Sequence, residues 1–300
     1  MIENDLLNYD VAEHSKEIEE WVGETVFKVM KKRGVVIGMS GGIDSSVCAR
    51  ICVNALGKER VFGLMMPEID TEEETNRLGR MVSDHLGIEV ITEDLSKTLE
   101  VLGCYGRRDE AIRDVVPEYD SGWRSKVILP SILDSDRLNV SHIVAVSTDG
   151  ERIERRLRHR SYLKVIASSN FKQRTRKMME YYHADRLNYA VIGTPNKLEY
   201  DLGFFVKNGD GSADIKPIAH LYKTQVYQMA RYYELPGEIL SRVPTTDTFS
   251  LPQTQEEFYF SVSHTVLDIC LYGKNHGMTP EEIAPIASLE VEQVAHVYRD

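Results

Sequence analysis

Apolar and polar positions along this chain change period several times, and the order of the changes predicts its elements. Val11, Ile18, Trp21, Val22, Thr25, Val26 and Val29 form an approximate apolar stripe, which predicts a helix over 11–32 that packs on a sheet. An apolar run at 35–39 reads as a strand, followed by a helix over 44–56, a strand over 61–66, a helix over 72–86 and a strand over 89–92. That alternation predicts an α/β fold, a doubly wound, mostly parallel sheet wrapped by helices. From Leu95 to Ser169 the pattern breaks: 103–135 reads as irregular, and two alternating segments around Asp149-Gly150 read as a β-hairpin. This is an insertion at about 103–160. A helix over 171–186, a strand over 189–193, a helix over 224–233, a Pro/Thr-rich loop at 243–255 and C-terminal helices over about 256–300 complete what is expected to be one domain, 1–300.

The break after the first strand carries the candidate chemistry. Ser40-Gly41-Gly42-Ile43-Asp44-Ser45-Ser46 leads from an apolar strand into a helix start, where free N–H groups and the positive end of the helix dipole suit an anion. A Walker A loop places a Lys after its last glycine to meet the β- and γ-phosphates, whereas here Asp44 follows Gly42-Ile43. That carboxylate would repel bare phosphate, so a metal ion is expected between them. The competing reading of the two glycines is a plain tight turn.

Composition narrows the partners. With 300 residues and 42% hydrophobic content, the chain can bury a sizeable core. No stretch approaches the ~20 apolar residues that cross a bilayer, and the first twenty residues are acidic and polar where a secretory signal is basic and then apolar. A cytoplasmic location with no membrane partner is the expectation. A formal charge of −11 and a pI near 5.4 argue against nucleic acid, whose binding rests on phosphate neutralisation. Cys48, Cys52, Cys104 and Cys270 show no C-x-x-C spacing, and they are expected to be reduced structural thiols.

The spelling SGGIDSS resembles the pyrophosphate loop of the N-type ATP pyrophosphatases, which cut ATP between its α- and β-phosphates to adenylate a carboxylate or a carbonyl oxygen. The resemblance implies an adenine nucleotide alpha hydrolase-like, Rossmann-like fold. It also implies that Ser40, Gly41, Gly42, Ser45 and Ser46 hold the leaving pyrophosphate while Asp44 binds Mg²⁺. A second segment runs Ile192-Gly-Thr-Pro-Asn-Lys-Leu-Glu-Tyr-Asp-Leu-Gly-Phe-Phe-Val-Lys-Asn-Gly-Asp-Gly and continues to Leu221-Tyr-Lys-Thr. It looks like the second half of ammonia-dependent NAD synthetase, and the two motifs agree in type and order.

By that resemblance Glu199 is the second Mg²⁺ ligand opposite Asp44, the pair offering the hard oxygens that Mg²⁺ prefers. Thr194, Lys223 and Thr245 are implied to contact ATP. Asn170 and Arg174, from an Asn-x-x-x-Arg-x-Arg stretch, together with Phe204, Lys207 and Asp210, are implied to hold deamido-NAD. Read alone, Glu199 is also a solvated helix-start carboxylate, Gly209-Asp210-Gly211 an ordinary turn and Lys223 a surface lysine. A cation at a helix start opposes the dipole, however, which calls for an anion beside Lys223. Asn170 and Arg174 are i, i+4 neighbours and can reach one ligand, whereas Arg176 reads equally as helix exterior. Gln255 stands where better-known members have Asp, which puts a role for Gln255 or Glu256 in question.

What the resemblance implies is ATP-dependent amidation of deamido-NAD to NAD through an adenylated carboxylate, with Asp44, Glu199 and Lys223 catalytic. Free ammonia is the implied nitrogen donor, because the synthetase pattern leaves no stretch for a glutaminase domain. A homodimer with the dinucleotide at its interface is also implied. Another carboxylate or a sugar as acceptor remains the alternative. The compact bacterial synthetases have a shorter link between the third strand and the Asn-x-x-x-Arg helix, so the Asp149-Gly150 hairpin is a departure from them, and ten Lys and Arg residues fall from Arg152 to Lys177. They suit a polyphosphate, a nucleic acid or a partner subunit, or else a solvated hairpin.

Overall fold

The computed structural model describes residues 5–129, 140–246, 248–260 and 262–299. Residues 130–139 of the expected insertion, Asp247 of the 243–255 loop, and positions 261 and 300 of the C-terminal helical region lie outside them. Helix α1 (Val11–Glu24) is followed by β1 (Val35–Gly38), α2 (Ile43–Leu56), β2 (Val61–Met65), α3 (Glu73–Leu86) and β3 (Glu89–Thr92). Helices α4 (Ser96–Val101) and α5 (Cys104–Arg113) precede β4 (Arg124–Ile128), β5 (His142–Val146), β6 (Arg152–Arg156), the long helix α6 (His159–Leu187) and β7 (Ala190–Ile192). Helices α7 (Lys197–Leu202), α8 (Lys223–Tyr232), α9 (Gly237–Ser241), α10 (His264–Asn275), α11 (Pro280–Ala287) and α12 (Val291–Arg299) follow.

Short apolar runs, buried in β1, β2 and β7 and partly exposed in the edge strand β3, make the central sheet, whose order is β3-β2-β1-β7 with every neighbouring pair parallel. Side chains alternate across β1. Val35 and Ile37 join Val47 and Ile51 of α2 and Val226 of α8 in one core, and Val36 joins Leu64, Val191 and Ala184 of α6 in another. Helices therefore cover both faces, giving the doubly wound α/β arrangement. The sheet grows one way from β1 to β3 and then returns to place β7 on the other side of β1, so the crevice beyond β1 and β7 is a topological switch point, the usual ligand site of such sheets.

Five expectations need correction. Helix α1 ends at Glu24, not Lys32, because Thr25–Val29 opens into a wider turn closed by Met30 N–H donating to the Thr25 carbonyl at 2.8 Å. The extra residue rotates Val29 out of the stripe; Trp21, within the regular helix, is also exposed while Ile18, Val22 and Val26 are buried, and the main neighbours of α1 are α2 and α8. Segment 103–135 is less irregular than expected, since it holds α5 and β4. The hairpin of β5 and β6 gains β4 as a third antiparallel strand, with a core of its own that includes Val127, Ile143 and Ile153. Helix α6 starts at His159 rather than Phe171, and its buried face carries Ser161, Ser168, Ser169, Lys172 and Thr175, which hides it from a search for apolar periodicity. The basic run is likewise partly internal: Lys172 and Lys177 are buried.

All four cysteines are buried free thiols, and burial pushes Cys52 up to about 12. Among the described residues no helix is long and apolar enough to cross a membrane.

Candidate active site

The loop after β1 is shaped by hydrogen bonds within itself. Gly41 has φ +66°, and a Cβ there would lie 2.7 Å from the Leu78 Cβ and 2.8 Å from the Gly79 nitrogen, so only glycine fits. Gly42 is the N-cap of α2 and offers no side chain to the first-turn N–H groups. The Ser45 and Ser46 hydroxyls donate to the Gly42 carbonyl at 3.0 and 2.8 Å, and the Ser40 and Ser45 hydroxyls lie 3.0 Å apart. Ser40, Gly42, Asp44 and Ser45 line a cavity of about 390 Å³, while Gly41 and Ser46 shape the loop from behind.

Residues distant in sequence meet at Asp44. Asn196 Nδ2 donates to Asp44 Oδ1 at 3.1 Å, and Lys223 Nζ donates to Oδ2. Glu199 sits in the first turn of α7, where it and Asn196 cap each other reciprocally: the Glu199 N–H donates to Asn196 Oδ1, and the Asn196 N–H to Glu199 Oε2, both at 3.1 Å. Gln255 Nε2 donates to the other Glu199 oxygen at 3.0 Å. Burial first, and Asp44 second, push Glu199 up to about 7. Burial opposes the charge on Lys223, but Asp44 and Glu199 outweigh it and raise its pKa.

The anion that the dipole argument called for beside Lys223 is supplied by the protein itself, and twice. Besides Asp44, Asp268 of α10 accepts from the Lys223 N–H at 3.3 Å and from the Thr224 N–H and hydroxyl at 2.6 and 2.7 Å, capping α8 and fixing where Lys223 begins. Nothing local in the sequence marks Asp268, because the cap comes from 44 positions away.

Two carboxylates thus lie near one ammonium, which pairs with Asp44, and their hard oxygens and negative excess fit a divalent cation. Among the described residues no group of three or more His, Cys, Asp or Glu side chains could hold a metal. A cation at Asp44 and Glu199 would draw its remaining oxygens from a ligand or water.

Thr194, Asn170, Phe204, Asp210 and Thr245 also line the cavity. Phe204 stacks on Tyr259 with ring centres 4.7 Å apart, and Asp210 Oδ1 accepts from the Val206 N–H at 2.7 Å. Arg174 and Lys207 lie outside the lining of this single chain; both are exposed, and Arg174 Nε donates to the Lys207 carbonyl at 3.1 Å. Asn170 and Arg174, expected on one ligand, therefore diverge here.

Sequence reasoning passed over Arg242, which lines the cavity and donates to the Ser40 carbonyl at 3.2 Å and to Thr75 Oγ1 at 2.6 Å. It also passed over the pair Lys177–Glu180, 2.5 Å apart on the cavity wall. The polar face of α6 was the available signal for that pair.

A glycine loop at a helix start, set at the switch point of a parallel sheet beside paired carboxylates and an ammonium, defines an α/β nucleotide-binding protein. The NAD synthase family matches residues 14–118 and 125–299, and the chain belongs to that family. It is 53% identical over 271 residues to the NH3-dependent NAD+ synthetase of Rhizobium meliloti (strain 1021), covering 90% of this chain and 81% of the relative. It is 50% identical over 295 residues to the NH3-dependent NAD+ synthetase of Mesorhizobium japonicum, covering 98% and 92%. Among solved structures, NMN synthetase from Francisella tularensis matches with a TM-score of 0.66 at 22% identity, over 97% of this chain and 94% of that one, a likeness of fold.

Proposed function

We propose that this chain is an ammonia-dependent NAD synthetase, converting ATP, deamido-NAD and ammonia to NAD, AMP and pyrophosphate, as the names of its relatives and its family membership support. One observation carries the site assignment: Asp44, Glu199 and Lys223 converge at the start of α2, beside the cavity that Asn170, Phe204 and Asp210 also line.

A carboxylate does not react with ammonia because oxide would have to leave. Adenylation removes that barrier: the nicotinate oxygen bonds to the α-phosphorus as the bond to the β-phosphate oxygen breaks. The ammonia nitrogen then bonds to the carboxyl carbon, AMP departs with the former carboxylate oxygen, and a proton is lost to solvent. The open N–H groups of the loop and the Lys223 ammonium receive charge moving onto pyrophosphate. Asn196 and Lys223 hold Asp44, and the reciprocal cap holds Glu199, so both carboxylates are fixed before substrate arrives. A Mg²⁺ ion bound by these two carboxylates would neutralise part of the departing diphosphate's charge. Thr194 and Thr245 contact the nucleotide in this reading, and no side chain acts as a covalent nucleophile.

Arg174 and Lys207, exposed beside the cavity, suit the part of the dinucleotide that projects beyond it. In that reading a second copy of the chain completes the site, as a homodimer. The deciding assay offers ATP and ammonium with deamido-NAD and, in parallel, with a panel of other carboxylates, following AMP and NAD. AMP formation that depends on deamido-NAD is the expected result. Preference for another carboxylate would move the chain to the alternative amidotransferase reading.

A further inference from the structure

Behind the cavity wall lies a second ion cluster that the reaction above does not use. Lys172 of α6 spends its three protons on three acceptors: Glu68 Oε1 at 2.9 Å, Asp70 Oδ2 at 2.6 Å and the Thr248 carbonyl at 2.8 Å. Glu68 Oε2 accepts from the Tyr105 hydroxyl at 2.8 Å and the Asp70 N–H at 3.2 Å, and Arg108 donates to Asp70. Lys172 and Glu68 expose none of their side-chain surface, and Asp70 almost none. Among the described residues two sealed cations face two sealed anions, and at the rim of the cluster Arg108 also donates to the partly exposed Asp109 at 3.0 Å.

Thr248 belongs to the segment that covers the cavity. Val243, Pro244, Thr245, Thr248 and Phe249 all line it, and Phe249 continues into the core of the antiparallel sheet. One end of this cover is held by Arg242 on the Ser40 carbonyl and the other by Gln255 on Glu199. Its middle is held on the β4 edge, where the Ser125 N–H donates to the Ser250 hydroxyl and the Leu251 N–H donates to the Ser125 carbonyl, and by Lys172 on the Thr248 carbonyl. Among the described residues, Lys172 holds it with a charge sealed completely from water.

We propose that Lys172 is a positioning residue for the amidation reaction, holding the cover shut through the Thr248 carbonyl so that the adenylated carboxylate meets ammonia and not water. The idea rests on the synthetase reading above. Water attacking the carboxyl carbon would break the same carbon–oxygen bond that ammonia breaks, releasing AMP and regenerating deamido-NAD. ATP would then be consumed without NAD, and excluding water from reactive intermediates is what closure of an active site achieves.

The test uses Lys172→Met and the double variant Glu68→Gln/Lys172→Met, which removes one charge of each sign and leaves the Asp70–Arg108 pair intact. The double variant keeps the proposal testable if the single one does not fold. Two measurements are read. In hydrogen exchange, the amides of 248–251, next to the Thr248 tether, should exchange at least about tenfold faster, the effect of losing a hydrogen bond from a charged donor, while those of β1 and β2 stay protected. In turnover with ATP, deamido-NAD and ammonium, AMP formed per NAD formed should rise severalfold above the wild-type ratio, whereas a loss of folded enzyme lowers both products together. An unchanged ratio with an unchanged exchange pattern in a folded variant overturns the proposal. Exchange reports on the tether whether or not the wild type makes NAD, and wild-type turnover alone reports on the synthetase reading.

Discussion

Two buried ion clusters serve one cavity, and they are built to opposite rules. At the cavity floor Lys223 donates to Asp44 and only its charge reaches Glu199, to which Gln255 contributes a neutral amide. Behind the wall the sealed side chains match, Glu68 and Asp70 facing Lys172 and Arg108, and the further carboxylate on Arg108, Asp109, stands partly in water. A buried charge without compensation is costly, so the first cluster is poised to gain a cation and the second has nothing to gain. Imbalance marks the place where a ligand belongs, and balance marks a place where the protein holds itself together.

The sharpest way to break this contrast is to make the same change in both clusters. Asp44→Asn should lower the rate of AMP formation by about 10³-fold, the scale of removing a principal electrostatic group. The folded state should be as stable as the wild type or more so, because Glu199 then has Lys223 to itself. Steady-state turnover and denaturant unfolding measure the two effects. Near-normal turnover would remove Asp44 from the chemistry, and a collapse in stability would place it among the structural pairs.

Asp70→Asn should do the reverse. It leaves Lys172 with Glu68 and Arg108 with only the partly exposed Asp109, and breaking such a group costs about 3 kcal/mol, visible as a lowered denaturant midpoint with an unchanged slope. An undiminished midpoint would mean that water reaches this cluster and that its balance is incidental.

The two clusters also differed in how far the sequence disclosed them. Asp44, Glu199 and Lys223 each sit in a local motif at a helix start, where spacing and dipole arguments apply residue by residue. Glu68 and Lys172 are 104 positions apart, and Lys172 lies on a helix face whose buried positions are largely polar. Periodicity reports burial only when buried positions are apolar, which is why the first turns of α6, and β4 with its buried Ser125, were missed while β1 to β3 were found. The same limit concealed Arg242 and Asp268, whose roles depend on partners brought close by the fold. Arg174 was legible as a helix neighbour of Asn170, but the side chain turns to the Lys207 carbonyl outside the cavity, a direction that spacing does not fix.

The pair Lys177–Glu180 lies between the two rules, and it gives the smallest and most discriminating test. It is balanced, one charge of each sign, yet it lines the cavity. Burial outweighs Lys177 and holds Glu180 above the ordinary carboxylate range. The folded protein therefore binds this proton more firmly than the unfolded chain does. That contribution to stability is complete below the unfolded pKa of about 4.3 and is lost as pH rises through the folded value. Glu180→Gln cannot titrate, so the stability of the wild type minus that of the variant should fall with rising pH from about 4 and then level off, as measured by denaturant unfolding at several pH values. A rising difference would mean that Lys177 outweighs burial, placing the pair with the balanced cluster behind the wall; a falling one places it with the floor, where a ligand's charge has a function to fulfil.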